Sequence, residues 1–136
     1  MKKVVIAGSA KLQEKINGWK NYFEHKGFEV LDYPVAIDEQ YFMEIYPGVH
    51  KKFFENIMNT DYLFVMNEDK NSIKGYIGAE TFAEMGFAVT QKLLYDKPIV
   101  VVLYQKPSES VFSYDEVCLL HSLGWISFLE EVEHEL

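Results

Sequence analysis

The chain has 136 residues, 49% of them hydrophobic and 25% charged, which suits one domain built around a single core. A net charge of −8, with all 13 basic residues being lysines, argues against nucleic acid as a partner. The only cysteine, Cys118, excludes an internal disulfide and a cysteine-based metal site, and no apolar run approaches the roughly 18 residues of a membrane span. The first apolar run ends at Ala7, too early for a secretion signal, so we expect one cytoplasmic domain over residues 1–136 with no membrane contact.

Strands and helices alternate through the first half of the chain. Residues 4–7 form an uninterrupted apolar run, typical of a strand buried on both faces, and residues 28–31 predict a second strand. Between them a helix is predicted, with Ser9 as a candidate N-cap and Gly27 just past its end. A long helical region follows at about 38–59, in which Pro47-Gly48 should cause a break or kink. Its apolar stripe consists of Phe42, Ile45, Val49, Phe53 and Ile57.

The alternation continues through the second half. Residues 62–66 predict a central strand, followed by a loop at 67–77 and a helix from about 78 to 94. A fourth strand is predicted at 99–103 and a fifth at 125–129. Ser113 and Glu116 form a capping-box pattern that opens a last helix, which Gly124 ends. The acidic tail at 130–136 is predicted to be frayed or a short helix.

Five strands joined by helical crossovers predict an α/β fold: a three-layer, flavodoxin-like or Rossmann-like domain with a five-stranded parallel sheet. The expected strand order is 2-1-3-4-5. In that order the carboxyl ends of strands one and three meet at the switch point, where open α/β sheets bind ligands. Gly8 and Ser9 follow the first of these strands, and Asn67 and Glu68 follow the third. The topology therefore predicts a ligand crevice at these residues.

Two glycine-containing segments flank the predicted crevice. The turn at Gly8 and Ser9 is consistent with contact to a ligand phosphate or sugar, or with an ordinary helix N-cap. Gly75 and Gly78 enclose Tyr76 at the start of the third helix, where glycines either admit a ligand to the backbone or shape a surface loop. The loop at 67–77 is longer than most strand-to-helix connections, which favours a role in function.

Glu84 is the candidate catalytic residue. On a helical projection it shares a narrow polar stripe, while the opposite side is predicted to be buried. One interpretation is a solvated face, as for most helical glutamates; the other is a carboxylate at the ligand crevice. The stripe consists of Glu80, Thr81, Glu84 and Gln91, and the predicted buried side of Phe82, Met85, Gly86, Val89 and Leu93.

Other residue types give weaker indications. Asp61 precedes the third strand and is predicted to lie at the end of the sheet opposite the crevice. The histidines show no paired spacing that would indicate a metal site, and we interpret each as a surface or helix-end residue. These are His25, His50, His121 and His134. Four aromatic residues are predicted to form core: Phe53, Phe54, Tyr62 and Phe64.

The segments DYLFVMN at 61–67 and GAETFAEMGFA at 78–88 resemble the nucleoside 2-deoxyribosyltransferase-like family, including its nucleotide N-glycosidase-type relatives. The resemblance covers most of residues 3–104. Its helix motif is a Gly-Thr-x-x-Glu-x-Gly-Tyr-Ala-like run, which Thr81, Glu84, Gly86 and Ala88 match and in which Phe87 replaces the usual tyrosine. Related nucleotide-sensing domains share parts of this motif.

The resemblance implies cleavage or transfer of the N-glycosidic bond of a (deoxy)nucleoside or related small molecule, with Glu84 as the nucleophile. The resemblance implies a homo-oligomer, a dimer or larger, whose subunits complete each other's pockets. We expect no cofactor and no metal. Asn67, Glu68 and Tyr76 are the candidates for protonating or holding the leaving base. The expected substrate-binding residues are Gly8, Ser9, Asn67, Glu68, Tyr76, Gly78, Glu80 and Thr81.

The chain also departs from the family pattern. Glu80 lies one turn before Glu84, where members usually carry an aspartate or a further glycine, and a like charge at that spacing should raise at least one pKa. The glycine- and arginine-rich loop of the nucleotide hydrolases is absent, which argues against a monophosphate substrate. The alternative function is a non-catalytic domain that binds or senses a nucleotide-like ligand.

Overall fold

The sheet has the predicted topology. A computed structural model describes all residues, 1–136, and contains one five-stranded parallel sheet. The strands are β1 (Lys3–Ala7), β2 (Glu29–Asp32), β3 (Tyr62–Val65), β4 (Val100–Leu103) and β5 (Ser127–Phe128). Their spatial order is β2-β1-β3-β4-β5, and β1 pairs with β3 from Val4 opposite Tyr62 to Ala7 opposite Val65. The predicted fold class and strand order are confirmed.

Helices cover both faces of the sheet. They are α1 (Gln13–His25), α2 (Phe42–Met58), α3 (Ala79–Tyr95), α4 (Tyr114–Ser122) and α5 (Leu129–Val132). Short 3-10 turns at Glu39–Tyr41 and Glu133–Glu135 precede α2 and follow α5. None of these helices combines the length and the apolar character needed to cross a membrane.

The strands bury both of their faces, which explains their uninterrupted apolar sequences. Along β1, Val5 packs on the side of α2, α3 and α4, whereas Val4 and Ile6 pack on the side of α1 and α5. Leu63 and Phe64 of β3 divide between the two sides in the same way. Two cores therefore sandwich the sheet and fix the carboxyl ends of β1 and β3 side by side.

Several predicted details of the helices are wrong. Leu12, not Ser9, is the N-cap of α1. Of the break or kink predicted at Pro47, the break does not occur, since α2 continues through this residue. Ser113 does precede α4, but its hydroxyl makes no capping bond and is buried without a partner. The fifth strand shrinks to two residues because the chain turns into α5 at Leu129.

The ends of the sheet are held by side-chain contacts. Asp61 accepts a hydrogen bond from the backbone N–H of Lys3 at 2.8 Å, which places it at the end of the sheet opposite the crevice, as predicted. The acidic tail is a short helix docked onto α1, since Tyr22 Oη donates to Glu133 at 2.7 Å. Of the two alternatives predicted for the tail, the helix is confirmed.

Candidate functional site

A cavity of about 550 Å³ opens at the carboxyl ends of β1 and β3. Its floor comes from residues 8–11 after β1 and from the long loop after β3, and the start of α3 closes one side. The opposite wall is formed by the segment after β2 and the N-terminal half of α2. The location agrees with the switch-point rule for open α/β sheets.

Glu84 lies at the buried side of this cavity and is 6% exposed. Thr81 and Gln91, on the same stripe of α3, are 8% and 5% exposed. The stripe packs towards α2 and the cavity, so the interpretation of Glu84 as part of a solvated face is wrong. Leu93, predicted to be buried, is 49% exposed instead.

The carboxylate of Glu84 has an unusual environment. The structure gives it no hydrogen-bond donor, although it is nearly buried, and an ionised carboxylate in that position is costly. Burial raises the pKa of Glu84 to about 8, with further contributions from the negative charges of Glu80 and Asp32. The prediction that Glu80 raises a neighbouring pKa is therefore confirmed for Glu84, although burial is the larger cause.

A hydrogen-bonded chain crosses from α2 to α3 beside Glu84. Tyr46 Oη donates to Glu80 Oε1 at 2.8 Å and lies 2.9 Å from His50 Nδ1. Burial, the hydrogen bond to Glu80 and the charges of Glu80 and Glu84 raise the pKa of Tyr46 to about 12. Tyr46 and His50 both line the cavity, yet neither was among the predicted site residues.

Contacts between aromatic rings hold Tyr46 and His50 in place. Phe42, Tyr46, His50 and Phe54 follow one another at four-residue intervals on α2, with ring centroids 4.8, 5.1 and 4.7 Å apart. Phe54 meets Phe87 of α3 at 4.8 Å. His50 is consequently an oriented, half-buried residue in the middle of a helix, and of its two interpretations the helix end is wrong.

The long loop brings a lysine into the cavity. Lys70 Nζ donates to Ser9 Oγ at 2.8 Å and lies 5.1 Å from the centre of the Tyr76 ring. Asn71 and Ser72 adopt positive φ at the loop tip, and Lys70 and Ile73 pair on either side of them as in a tight hairpin. Ser9, which does not cap α1, thus lines the cavity beside Lys70. No other lysine of this loop lines the cavity.

Asn67 anchors the base of the loop. Its amide nitrogen donates to the carbonyls of Gly75 at 3.3 Å and Gln105 at 2.6 Å, and its amide oxygen accepts from Gln105 N–H at 3.2 Å. Asp69 accepts from Gly75 N–H at 3.0 Å and from the Gln105 amide at 2.9 Å, and these bonds lower its pKa. Asn67 borders the cavity, but its polar atoms are committed to holding the loop.

Glu68 lies outside the cavity. Its carboxylate accepts a hydrogen bond from Trp19 Nε1 at 2.7 Å and borders a separate shallow depression along α1. Glu68 therefore faces α1, whereas Asn67 borders the cavity. The cavity does bring together the other predicted site residues, which are Gly8, Ser9, Asn67, Tyr76, Gly78, Glu80, Thr81 and Glu84.

No family model matches the chain, and no curated protein matches it. Its class therefore rests on structure, as a three-layer α/β protein with five parallel strands and a ligand-sized cavity at the switch point. The cavity combines a buried carboxylate, a hydrogen-bonded tyrosine–histidine pair and a lysine.

Proposed function

We propose that this protein cleaves or transfers the N-glycosidic bond of a (deoxy)nucleoside or a related small molecule, with Glu84 as the nucleophile. The observation that carries the proposal is Glu84, a residue only 6% exposed that accepts no hydrogen bond from the protein and lies at the wall of a cavity of about 550 Å³. Polar groups inside proteins are normally hydrogen-bonded, so a carboxylate that lacks a protein donor and faces a cavity is available to a ligand. The volume falls within the range of small-molecule sites, roughly 300–1,000 Å³.

The reaction would proceed in two displacements. A Glu84 oxygen attacks C1′ of the sugar, a C1′–O bond forms as the C1′–N bond breaks, and the electron pair stays on the departing base, which takes up a proton. Water or a second base then attacks C1′ and releases Glu84. A carboxylate suits this role because it stabilises the positive charge that develops on the sugar ring.

The surroundings of Glu84 fit a nucleoside-sized ligand. Gly78 and Thr81 at the start of α3 provide backbone and hydroxyl groups for a sugar, and Tyr76 borders the same space. Apolar side chains of the opposite wall, among them Val49 and Phe53, offer contact to a base. The resemblance of residues 78–88 to the nucleoside 2-deoxyribosyltransferase-like family supports the same assignment.

The experiment is a base-exchange assay. The protein is incubated with deoxynucleosides, with and without a free acceptor base, and base release or exchange is followed by chromatography. Glu84→Gln should abolish turnover, whereas Glu116→Gln, a matched change at an exposed position on α4, should not. A sugar adduct on the parent protein that is absent from Glu84→Gln, detected by intact mass, would identify the nucleophile directly.

A second candidate function is a non-catalytic domain that binds a nucleotide-like ligand. The observation that favours it is the pKa of Glu84 near 8, since a carboxylic acid protonated at neutral pH can donate a hydrogen bond to a ligand. Ligand binding by both the parent and Glu84→Gln, with no turnover in the parent, would establish this alternative and exclude the enzyme.

We also propose that the chain forms a homo-oligomer. Phe42 and Val49, which line the cavity, are 39% and 37% exposed, and Ile45 on the same stripe of α2 is 43% exposed. A second subunit would cover these side chains and narrow the opening. Sedimentation velocity tests this directly, and a monomer at micromolar concentration would contradict it.

A further inference from the structure

We propose that His50 delivers the proton to the departing base. Tyr46 and Glu80 are the positioning residues that hold the imidazole, and Glu80 places a carboxylate beside it. This inference rests on the proposed function and adds to it the general acid that the glycosidic reaction needs. Asn67, Glu68 and Tyr76 had been the candidates for that role. Asn67 is committed to the loop, Glu68 lies outside the cavity, and the Tyr76 hydroxyl has no hydrogen-bonded partner to replace its proton.

The direction of the hydrogen bonds follows from proton counting. A tyrosine hydroxyl has one proton, and Tyr46 donates it to Glu80 Oε1 at 2.8 Å. The contact of 2.9 Å between Tyr46 Oη and His50 Nδ1 must therefore be donated by the imidazole. Nδ1 carries a hydrogen, and Nε2 is the nitrogen left to exchange a proton with a ligand. Tyr46 keeps its own proton, because its pKa is raised to about 12.

A carboxylate lies close to the imidazole of His50. Glu80 Oε1 lies 3.8 Å from His50 Nδ1, and the side chains of His50 and Glu80 are 39% and 58% exposed. The ring is stacked on Tyr46 and set edge-on to Phe54, so its orientation is fixed while one edge stays accessible. His50 and Glu84 line the same cavity from α2 and α3, so one ligand can contact both.

The proton balance of both steps is complete. When Glu84 attacks C1′ and the C1′–N bond breaks, His50 Nε2–H transfers its proton to the base nitrogen that receives the electron pair. The imidazole becomes neutral and keeps Nδ1–H on Tyr46. In the second step the attacking water or acceptor base loses a proton to Nε2, which restores the imidazolium.

The test compares His50→Gln with the parent on deoxynucleosides whose bases range from adenine to a nitro-substituted azole that leaves readily as an anion. We expect His50→Gln to lose at least about 100-fold in kcat on the poor leaving groups and little on the best one. Tyr46→Phe, which keeps the ring stack, should give a smaller loss with the same trend. His121→Gln, on α4 and bonded to Glu131, is the matched control and should be unaffected.

The outcomes separate the two proposals. A loss that is uniform across the base series would overturn the assignment of His50 and leave Glu84 as the nucleophile. A parent protein that releases no base from any member of the series would overturn both. Urea midpoints equal to that of the parent protein show that the His50 and Tyr46 variants are folded.

Discussion

Glu80 and Glu84 lie one turn apart on α3, yet Glu80 exposes 58% of its side chain while Glu84 is 6% exposed. Glu80 is paired with Tyr46, and Glu84 has no hydrogen-bond partner. Burial raises the pKa of Glu84, and these different surroundings are the basis for separate roles of the two carboxylates. The consequences can be measured in both stability and turnover.

The stability of the fold should fall as pH rises because of Glu84. Its pKa is raised in the folded protein to about 8 from the ordinary value of 4.5. The contribution of protonated Glu84 to the free energy of unfolding is therefore fully present below pH 4.5 and is lost as pH rises through 8. Its upper bound is about 5 kcal/mol. Urea unfolding of the parent and Glu84→Gln at pH 5 and pH 9 should show Glu84→Gln to be relatively more stable at pH 9. Equal differences at the two pH values would contradict the raised pKa.

Turnover should have an alkaline optimum. A nucleophile with a pKa near 8 is mostly protonated at neutral pH, so kcat/KM should rise about tenfold per pH unit below 8 and level off above it. Glu80→Gln removes one of the charges that raise this pKa and should move the rising limb to lower pH. The measurement requires a base that leaves readily, so that protonation of the base does not enter. An unchanged limb in Glu80→Gln would show that the two carboxylates are not coupled.

Asn67 should be important for stability. Replacing it with alanine removes three hydrogen bonds to backbone groups at a position that is 2% exposed. The expected cost in the free energy of unfolding is about 2–3 kcal/mol, from roughly 1 kcal/mol per bond. Asn17→Ala, an exposed change on α1, is the control and should stay within about 0.5 kcal/mol of the parent. A similarly small effect at Asn67 would mean that the loop is held by other contacts.

Two glycine-to-alanine changes should have opposite signs. Gly75 has φ of +66°, and an added Cβ would lie 2.8 Å from the Cα of Pro107, so Gly75→Ala should destabilise the fold by at least about 1 kcal/mol. Gly18, inside α1, has open space around the corresponding position. Gly18→Ala should therefore stabilise the protein by about 0.5–1 kcal/mol. Thermal unfolding of the two variants tests both signs in one experiment.

Glu68 should be dispensable for the cavity. Glu68→Gln alters the hydrogen bond to Trp19 Nε1, so the tryptophan emission should change. Ligand affinity and turnover should stay within about twofold of the parent, since the carboxylate borders a different depression. A large loss of activity would show that Glu68 enters the site when ligand is bound.

The fold was predictable because each strand has a distinct sequence pattern. Runs such as residues 62–66 are apolar on both faces, and only a sheet covered on both sides buries them fully. The strand order then located the site without any motif. Helix ends were harder to predict, since Ser9 and Ser113 both resemble N-caps in the sequence. In the structure Ser9 accepts a hydrogen bond from Lys70, and the Ser113 hydroxyl is buried without a partner.

The parts of the site that escaped prediction depend on contacts between distant segments. His50 looked like a surface residue because its partners are Tyr46 on its own helix and Glu80 on another. The four-residue repeat of rings on α2 was readable from the sequence and could have indicated an oriented histidine. The role of Asn67, by contrast, depends on Gln105, 38 residues away, and no local pattern gives that information.

The contacts among Asn67, Asp69 and Gln105 join the segment after β4 to the loop that carries Lys70 and Tyr76. Pro107 touches this loop at Gly75, yet neither Gln105 nor Pro107 borders the cavity. Residues 105–107 therefore support the loop without lining the cavity. We expect substitutions there to change ligand preference by moving Lys70 and Tyr76 together. Directed evolution of this site should accordingly include positions that no ligand touches.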